Sequence, residues 1–138
     1  MYPKLVVDLK KLQGNLDAVA EITKDHGGCS LMIVTKGMCA DTEMCRMIAA
    51  DPKVDFMADS RVKNIAGYCD MARKQGKKTV LLRIPMHAEV EDVIKYVDIS
   101  FNSEISTLRL LDSAAAKAGI VHNVVLMIDL GDLREGIF

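Results

Sequence analysis

The chain alternates short apolar runs with amphipathic stretches along its whole length. Six of these runs have the length and residue types of β-strands. The fourth and the last are almost continuously apolar, which is typical of strands buried on both faces of a parallel sheet. The predicted strands are "KLVVDL" (4–9), "SLMIVT" (30–35), "VDFMA" (54–58), "KTVLLRI" (78–84), "YVDISF" (96–101) and "NVVLMIDL" (123–130).

Between the runs, apolar residues recur at the three- and four-residue spacing of amphipathic helices. Glycine or proline follows several of these segments, as expected where a helix ends. The first predicted helix carries Leu12, Leu16 and Val19 and ends at Gly27-Gly28, and the second is capped by Asp41 or Thr42. Three more helices are predicted at 61–74, at 88–96 and from a Ser103 cap to Gly119.

This repeated order of strand and helix predicts an α/β fold with a parallel sheet. Two architectures fit it: an open doubly wound sheet, and a parallel (β/α)8 barrel of the TIM type that is incomplete. The first strand–helix turn, "DLKKLQGN", lacks the glycine-rich fingerprint of dinucleotide-binding sheets, and "GDLREGIF" after the last strand resembles a loop, which favours the barrel. Since a complete barrel needs about 250 residues, we expect residues 1–138 to form its N-terminal portion, with about six of eight β-α units.

Composition and charge narrow the range of partners. Lys and Arg number 18 against 19 Asp and Glu, giving a net charge of −1 and no case for nucleic-acid binding. No apolar run approaches the roughly 18 to 20 residues of a membrane span, and the N-terminus lacks the apolar core of a signal peptide. The four cysteines form no CxxC pair and no zinc-type grouping with histidine, so we expect no metal site and a reducing, cytoplasmic compartment.

Polar residues at the carboxyl ends of the predicted strands are the candidates for chemistry, because parallel α/β folds build their sites there. Ser60 and Ser103 fit helix N-caps, and Arg83 fits a solvated loop charge as well as a functional group. The three histidines show no spacing that would join them to a nucleophile, and we expect them at the surface. The candidates are Asp8, Lys36, Asp59 to Arg61, Arg83, Asn102 to Glu104, and Asp129 to Arg134.

Lys36 is the candidate with the clearest chemistry. It directly follows the apolar run of the second predicted strand, and no carboxylate comes after it until Asp41. It is either a surface charge at a strand end or a placed amine. At the mouth of an apolar barrel a lysine loses hydration, which favours the uncharged amine, the form that condenses with an aldehyde to make a Schiff base.

Several segments together resemble the alanine racemase family. "IVTKGMCAD" is similar to the segment in which that family places its pyridoxal 5'-phosphate (PLP) lysine after strand two. "MIDLGDLREG" resembles the segment after strand six, and "VDLKKLQGN" resembles the first strand and helix. Within the family, "TKGMCAD", "FMADSR", "LLRIPM", "NSE" and "DLGDLREG" are most similar to the ornithine racemase branch. The resemblance covers essentially the whole chain but only the first part of the family's length.

The resemblance implies a PLP-dependent amino-acid racemase that acts on a small-molecule amino acid. Lys36 would hold the cofactor and serve as one of two catalytic bases, and Arg134 would stabilise the phenolate oxygen of PLP. Ala40 stands where the family has a tyrosine near the phosphate, and Met127 stands where many alanine racemases carry a carbamylated lysine. Both departures argue against alanine as the substrate.

The resemblance also implies parts that lie beyond residue 138. These are the second base, a tyrosine, together with the phosphate cradle, the remainder of the barrel and a C-terminal β-domain. We therefore expect the chain to be inactive alone, and to form a homodimer or a larger self-association because an incomplete barrel leaves strand edges unpaired.

Other interpretations compete with a racemase. A non-enzymatic PLP-binding protein uses the same barrel and lysine, although its usual "GEN" and "LQ-N-K" signatures are missing here. Related PLP barrels that cleave or dehydrate D-amino acids share the N-terminal half. A structural fragment without activity is the third interpretation.

Overall fold

A computed structural model describes residues 3–137 of the chain. Its centre is a parallel sheet of five strands that lie side by side in the order of the sequence, β1-β2-β3-β4-β5. The strands are β1 (Met32–Val34), β2 (Phe56–Asp59), β3 (Lys78–Leu81), β4 (Ile99–Asn102) and β5 (Asn123–Leu126). The α/β class and the parallel sheet are thereby confirmed.

Helices connect the strands and cover the sheet. They are α1 (Leu9–Ala20), which continues as a π-helical turn (Glu21–Asp25), then α2 (Thr42–Ala50), α3 (Val62–Lys74), α4 (Val90–Tyr96) and α5 (Ile105–Ala118). Two 3-10 turns, Lys36–Met38 and His87–Glu89, stand before α2 and α4. Helix α3 packs on β2 and β3 and lies between α2 and α4, and α4 packs against α5.

The strand order decides between the two architectures. A doubly wound sheet reverses its strand order at a switch point, whereas a barrel adds each strand beside the one before it. All four pairings here join consecutive strands, and the helices pack on their neighbours in the same sequence. The described part of the chain is therefore an arc of a barrel.

The core lies between the sheet and the helices. Its centre is a set of fully buried aliphatic side chains from α2, α3, α4 and the inner strands, with smaller residues where helices approach closely. The fully buried members include Ile48, Val54, Met57, Ile65, Leu81 and Val93. Burying an aliphatic side chain of this size contributes about 1.5–3 kcal/mol, so this layer holds the helices on the arc.

The first predicted strand is wrong, and the sheet has five strands in the described residues rather than six. Asp8 caps α1, since its carboxylate accepts from the amides of Lys10 (2.9 Å) and Lys11 (3.2 Å), so the chain turns into helix where a strand end was expected. Residues 3–7 make no ladder with β1, and Leu5 and Val6 are exposed. Without a pairing partner an extended apolar segment does not become a strand.

Both serine caps are also wrong. Helix α3 has Arg61 as its N-cap residue, and the Asp59 carboxylate accepts from the Arg61 amide instead of Ser60 capping the helix. Helix α5 has Glu104 as its N-cap residue with no side-chain cap, so Ser103 lies one position too early. Asp41 does cap α2, through the amides of Glu43 and Met44.

Within residues 3–137, no helix has both the length and the apolar character needed to cross a membrane. The same residues contain no cluster of three or more His, Cys, Asp or Glu side chains arranged to hold a metal ion.

Candidate functional site

Lys36 lies at the carboxyl edge of the sheet, immediately after β1. Thr35 before it is fully buried, whereas Lys36 itself is exposed and begins the 3-10 turn. Its side chain makes no hydrogen bond or ion pair with any other described residue. Lys36 thus lies at the end of a strand, as predicted. The apolar surroundings expected around its amine are not provided by residues 3–137.

The turn after Lys36 has an unusual backbone. Cys39 (φ 50°) and Ala40 (φ 53°) both take the left-handed conformation, which costs a residue other than glycine about 1–2 kcal/mol. The amides of Met38 and Ala40 both donate to the Thr35 carbonyl, at 3.1 and 3.2 Å. Asp41 then starts α2. This short path turns the chain sharply between Lys36 and the start of α2.

A groove of about 710 Å³ opens beside this turn. None of its lining residues comes from β2 to β5, so it lies at the free edge of β1. Apolar side chains of residues 5–12 form one wall, and the turn with the start of α2 forms the other. Val34, Gly37, Met38 and Cys39 are the lining residues nearest Lys36 in the sequence.

Arg83 connects two loops at the same edge of the sheet. Its guanidinium donates to the Ser60 carbonyl (2.6 Å), to the Ile84 carbonyl (3.0 Å) and to Glu89 Oε1 (2.7 Å). The Arg83 hydrogen bond holds the pKa of the Glu89 carboxyl below its usual range. The interpretation of Arg83 as a solvated loop charge is therefore wrong, because the side chain is three-quarters buried and fixes the loop after β3.

A second polar cluster lies on β4 and in front of β5. His122 Nε2 is 2.8 Å from Ser100 Oγ, and the Asn102 side-chain amide donates to the same hydroxyl (3.0 Å). His122 is only partly exposed, so the prediction that it lies at the surface holds in part. Burial lowers the pKa of His122, and the nearby Asp98 charge opposes that shift. Asn102 Oδ1 is a buried side-chain oxygen without a hydrogen-bond partner in the described residues.

We expect His122 to make the fold sensitive to mild acid. Its folded-state pKa lies below the ordinary value of 6.5, so the unfolded chain binds more protons as the pH falls. The contribution of His122 to the free energy of unfolding is complete above about pH 6.5. It is lost progressively as the pH falls through the lowered folded-state pKa. Urea midpoints at pH 7.5 and 5.5 measure this loss.

The control is a pair of glutamine substitutions. His122→Gln should flatten the change in urea midpoint between those two pH values, whereas His87→Gln, at an exposed histidine, should leave the change in place. A loss of stability that persists in His122→Gln would contradict the assignment to His122.

Arg134 lies in a closed loop after β5. Asp129 Oδ1 accepts from the amides of Gly131 (2.6 Å) and Leu133 (3.3 Å), which lowers the pKa of the carboxyl. At the far end of the loop, the Ile137 carbonyl accepts from the Asp129 amide at 2.9 Å. The Arg134 side chain is 76% exposed, and its Nε lies 3.9 Å from Glu135 Oε1.

The structure places Lys36 and Arg134 at the same edge of the sheet, in the segments that follow its two outermost strands, β1 and β5. Four steps of about 4.8 Å separate β1 from β5, roughly 19 Å along the sheet. The two side chains make no contact with each other in the described residues. Curvature of the arc is what would bring these two strand ends to face each other across the mouth of a closed barrel.

The sequence pattern indicated Asp59 as a candidate but did not indicate its buried partner, Thr35. Thr35 and Asp59 meet at the carboxyl ends of β1 and β2, where the Thr35 hydroxyl donates to Asp59 Oδ2 at 2.7 Å. The available signal was a polar residue at the end of each of two consecutive apolar runs. Neither run by itself shows that the two side chains touch.

Comparison with known proteins identifies the family. The family model described as "Alanine racemase, N-terminal domain" matches residues 7–138. The chain belongs to this family. Across its full length it is 45% identical to the ornithine racemase of Acetoanaerobium sticklandii and 26% identical to the lysine racemase of Thermotoga maritima. It spans 37% and 38% of the length of these two relatives.

Solved structures of alanine racemases share the fold of this family member. The alanine racemase of Clostridium difficile superposes with a TM-score of 0.77 at 20% identity, over 98% of this chain and 36% of the other. PipY of Synechococcus elongatus, solved with PLP bound, gives a TM-score of 0.59 at 16% identity, over 79% of this chain and 50% of the other. The predicted family and the predicted incomplete barrel are therefore confirmed, while the roles of Lys36 and Arg134 stay predictions.

Proposed function

We propose that this alanine racemase family chain is the lysine-bearing part of a PLP-dependent racemase acting on ornithine or a similar basic amino acid. The observation that carries the proposal is the 45% identity to an ornithine racemase over all 138 residues. The place of Lys36 supports it: an exposed primary amine, free of partners in the described residues, stands at the carboxyl edge of a parallel sheet.

The donor set of the chain fits PLP at two points. Lys36 offers an amine that no carboxylate neutralises within residues 3–137, as covalent attachment to an aldehyde requires. Arg134 offers a largely exposed guanidinium that suits a phenolate oxygen. Among the described residues its one ionic neighbour is Glu135, at the limit of contact. We propose Lys36 and Arg134 as the residues that hold the cofactor.

When bound, PLP serves as the electron sink for the negative charge that develops at the amino-acid Cα. In the proposed mechanism Lys36 Nζ takes the Cα proton on one face of the substrate and can return it there. The Arg134 guanidinium would hold the phenolate oxygen of the cofactor and keep it oriented. Inversion needs a second proton carrier on the opposite face. We propose that the rest of the barrel supplies it, and hence that the 138-residue chain by itself does not racemise.

Self-association and a cytoplasmic location belong to the same proposal. All four residues of β5 are exposed, and Val121 and Leu130 on either side of it are 88% and 95% exposed. Apolar surface of this kind, at an unpaired sheet edge, favours a homodimer or a larger assembly. The four cysteines are free, which suits a reducing compartment.

Deuterium exchange tests the proposed activity. The full-length protein with PLP in D2O should label the Cα of L-ornithine and produce the D-enantiomer, with lysine slower and alanine slower still. Proton NMR follows the loss of the Cα signal, and chiral chromatography follows the inversion. Absence of exchange with all three amino acids would contradict the racemase proposal.

The fold shared with PipY supports a second candidate, a PLP-binding protein without racemase activity. The same experiment separates the two. Cofactor attached at Lys36 without any Cα exchange would favour the binding protein, because attachment needs only the amine, whereas exchange needs proton transfer as well.

A further inference from the structure

A buried hydrogen-bonded pair stands directly behind Lys36. Thr35 Oγ1 donates to Asp59 Oδ2 at 2.7 Å and lies 3.2 Å from the Ala58 carbonyl oxygen. Both Thr35 and Asp59 are completely buried. The pair spans β1 and β2 because the register sets Val34 opposite Ala58, so the next residue on each strand meets the other.

The Asp59 carboxylate is held by neutral donors alone in the described residues. Besides the Thr35 hydroxyl, Oδ1 accepts from the Arg61 amide (2.9 Å), and the Asn64 side-chain amide lies 3.2 Å from each oxygen. No salt bridge reaches Asp59. The Asn64 amide belongs to the first turn of α3, and Arg61 is the residue before that helix. At this end of a helix the dipole favours negative charge. A buried carboxyl group with this many directed donors has little freedom to move.

Thr35 transmits that rigidity to the turn that carries Lys36. Its amide donates to the Ala58 carbonyl at 2.8 Å, and its own carbonyl accepts from Met38 and Ala40. Thr35 is therefore fixed through its amide, its hydroxyl and its carbonyl. Lys36 is the next residue and has no side-chain partner of its own in residues 3–137, so the backbone alone determines where its amine starts.

We propose that Asp59, acting through the Thr35 hydroxyl, is a positioning residue for Lys36. The pair holds the 3-10 turn in one conformation and thereby directs the Lys36 amine over the carboxyl edge of the sheet. This inference rests on the proposed function, in which Lys36 is the reactive amine. Asp59 and Thr35 touch neither substrate nor cofactor in this assignment, and they act only through the backbone of the turn.

The fold contains a second threonine–aspartate hydrogen bond, Thr79 to Asp98, away from any candidate site; here Arg73 also pairs with the aspartate, at 2.9 Å. Thr79 on β3 is completely buried, and its hydroxyl donates to Asp98 Oδ2 at 2.9 Å, just before β4 begins. This second pair joins adjacent parallel strands at their amino ends, at the opposite edge of the sheet from Lys36. It is a matched control, because removing the Thr79 hydroxyl breaks the same kind of bond without touching the Lys36 turn.

The experiment compares Thr35→Val, Thr35→Ser, Asp59→Asn and Thr79→Val in the full-length protein. PLP is added, reduced with borohydride, and its attachment at Lys36 is measured relative to exposed Lys63 by peptide mass spectrometry. Hydrogen exchange of the Met38 and Ala40 amides is measured without PLP. Thr35→Val should reduce the Lys36 to Lys63 ratio by between about tenfold and a hundredfold. It should also speed amide exchange in the turn by about tenfold.

The controls define what would overturn the proposal. Thr35→Ser should restore both the labelling ratio and the slow amide exchange, and Asp59→Asn should give values between those of the wild type and Thr35→Val. Thr79→Val should lower the melting temperature while leaving the labelling ratio and the amide exchange unchanged. An unchanged turn exchange in Thr35→Val, or an equal loss in Thr79→Val, would overturn the positioning role. If wild-type Lys36 is labelled no better than Lys63, the proposed function fails, and the amide exchange alone then decides whether the pair holds the turn.

Discussion

Replacing Lys36 with alanine should remove cofactor attachment and Cα proton exchange together. The amine is the group that bonds to PLP and, in the proposed mechanism, the group that takes the proton, so one substitution abolishes two steps. Exchange at the Cα of ornithine should fall by a factor of at least about 10³, judged from the contribution of a positioned base together with covalent catalysis. Borohydride reduction followed by peptide mapping should find no phosphopyridoxyl group at position 36.

Lys63→Ala is the matched control for this result. Lys63 is an exposed lysine in the first turn of α3, at the same edge of the sheet as Lys36. Its loss should leave attachment and exchange unchanged. Lys36→Arg keeps a positive charge without a nucleophilic amine and should be as inactive as Lys36→Ala. Retention of exchange in Lys36→Ala would assign the chemistry to another residue and remove the basis of the proposed site.

Gly136→Ala should disrupt the loop that presents Arg134. Gly136 has φ 131°, a region that is essentially restricted to glycine, and an added Cβ would lie 2.5 Å from the Asp129 amide nitrogen and 2.8 Å from the Ile128 carbonyl carbon. Both obstacles are backbone atoms, so no side-chain movement relieves them. The strain alone costs about 1–3 kcal/mol, enough to open the loop. PLP affinity of the full-length protein, measured by absorbance titration, should fall by about tenfold or more.

Gly67→Ala tests whether this effect is specific to the loop. Gly67 lies within α3, and an added Cβ there meets no atom within 4 Å apart from the neighbouring backbone of the helix itself. Because alanine is the better helix former, the substitution should stabilise the protein by about 0.5–1 kcal/mol and leave PLP affinity unchanged. Unchanged PLP affinity in Gly136→Ala would show that the loop conformation does not control Arg134.

The regular elements that depend on local pattern were predictable from the sequence. Helix α3 was expected at 61–74 and occurs at Val62–Lys74, and the five strands of the sheet all lie within or beside predicted runs. The failure at residues 4–9 has a specific cause. Apolar β-branched residues indicate a strand only when another strand is available to pair, whereas Asp8 specifies a helix start through its own neighbours.

The candidate site was likewise predictable only in its local features. The position of Lys36 at a strand end followed from the order of elements along the chain. The Thr35–Asp59 bond joins residues 24 positions apart and exists because of the β1–β2 register, which the sequence pattern leaves open. The contacts of Arg83 with Ser60 and of His122 with Ser100 were missed for the same reason, since they join residues 23 and 22 positions apart in the sequence.

The consecutive strand order has a consequence for how the protein is made. Each strand pairs with the one translated just before it, so no pairing waits for a segment that the ribosome has yet to produce. The arc can therefore grow in one direction during synthesis, with β5 as its growing edge. After every β-α unit, the newest strand exposes an unpaired edge to which the next strand can bind. On a ribosome stalled after residue 138, the nascent chain should already be ordered up to β4. Protection from protease should extend along the nascent chain one β-α unit at a time.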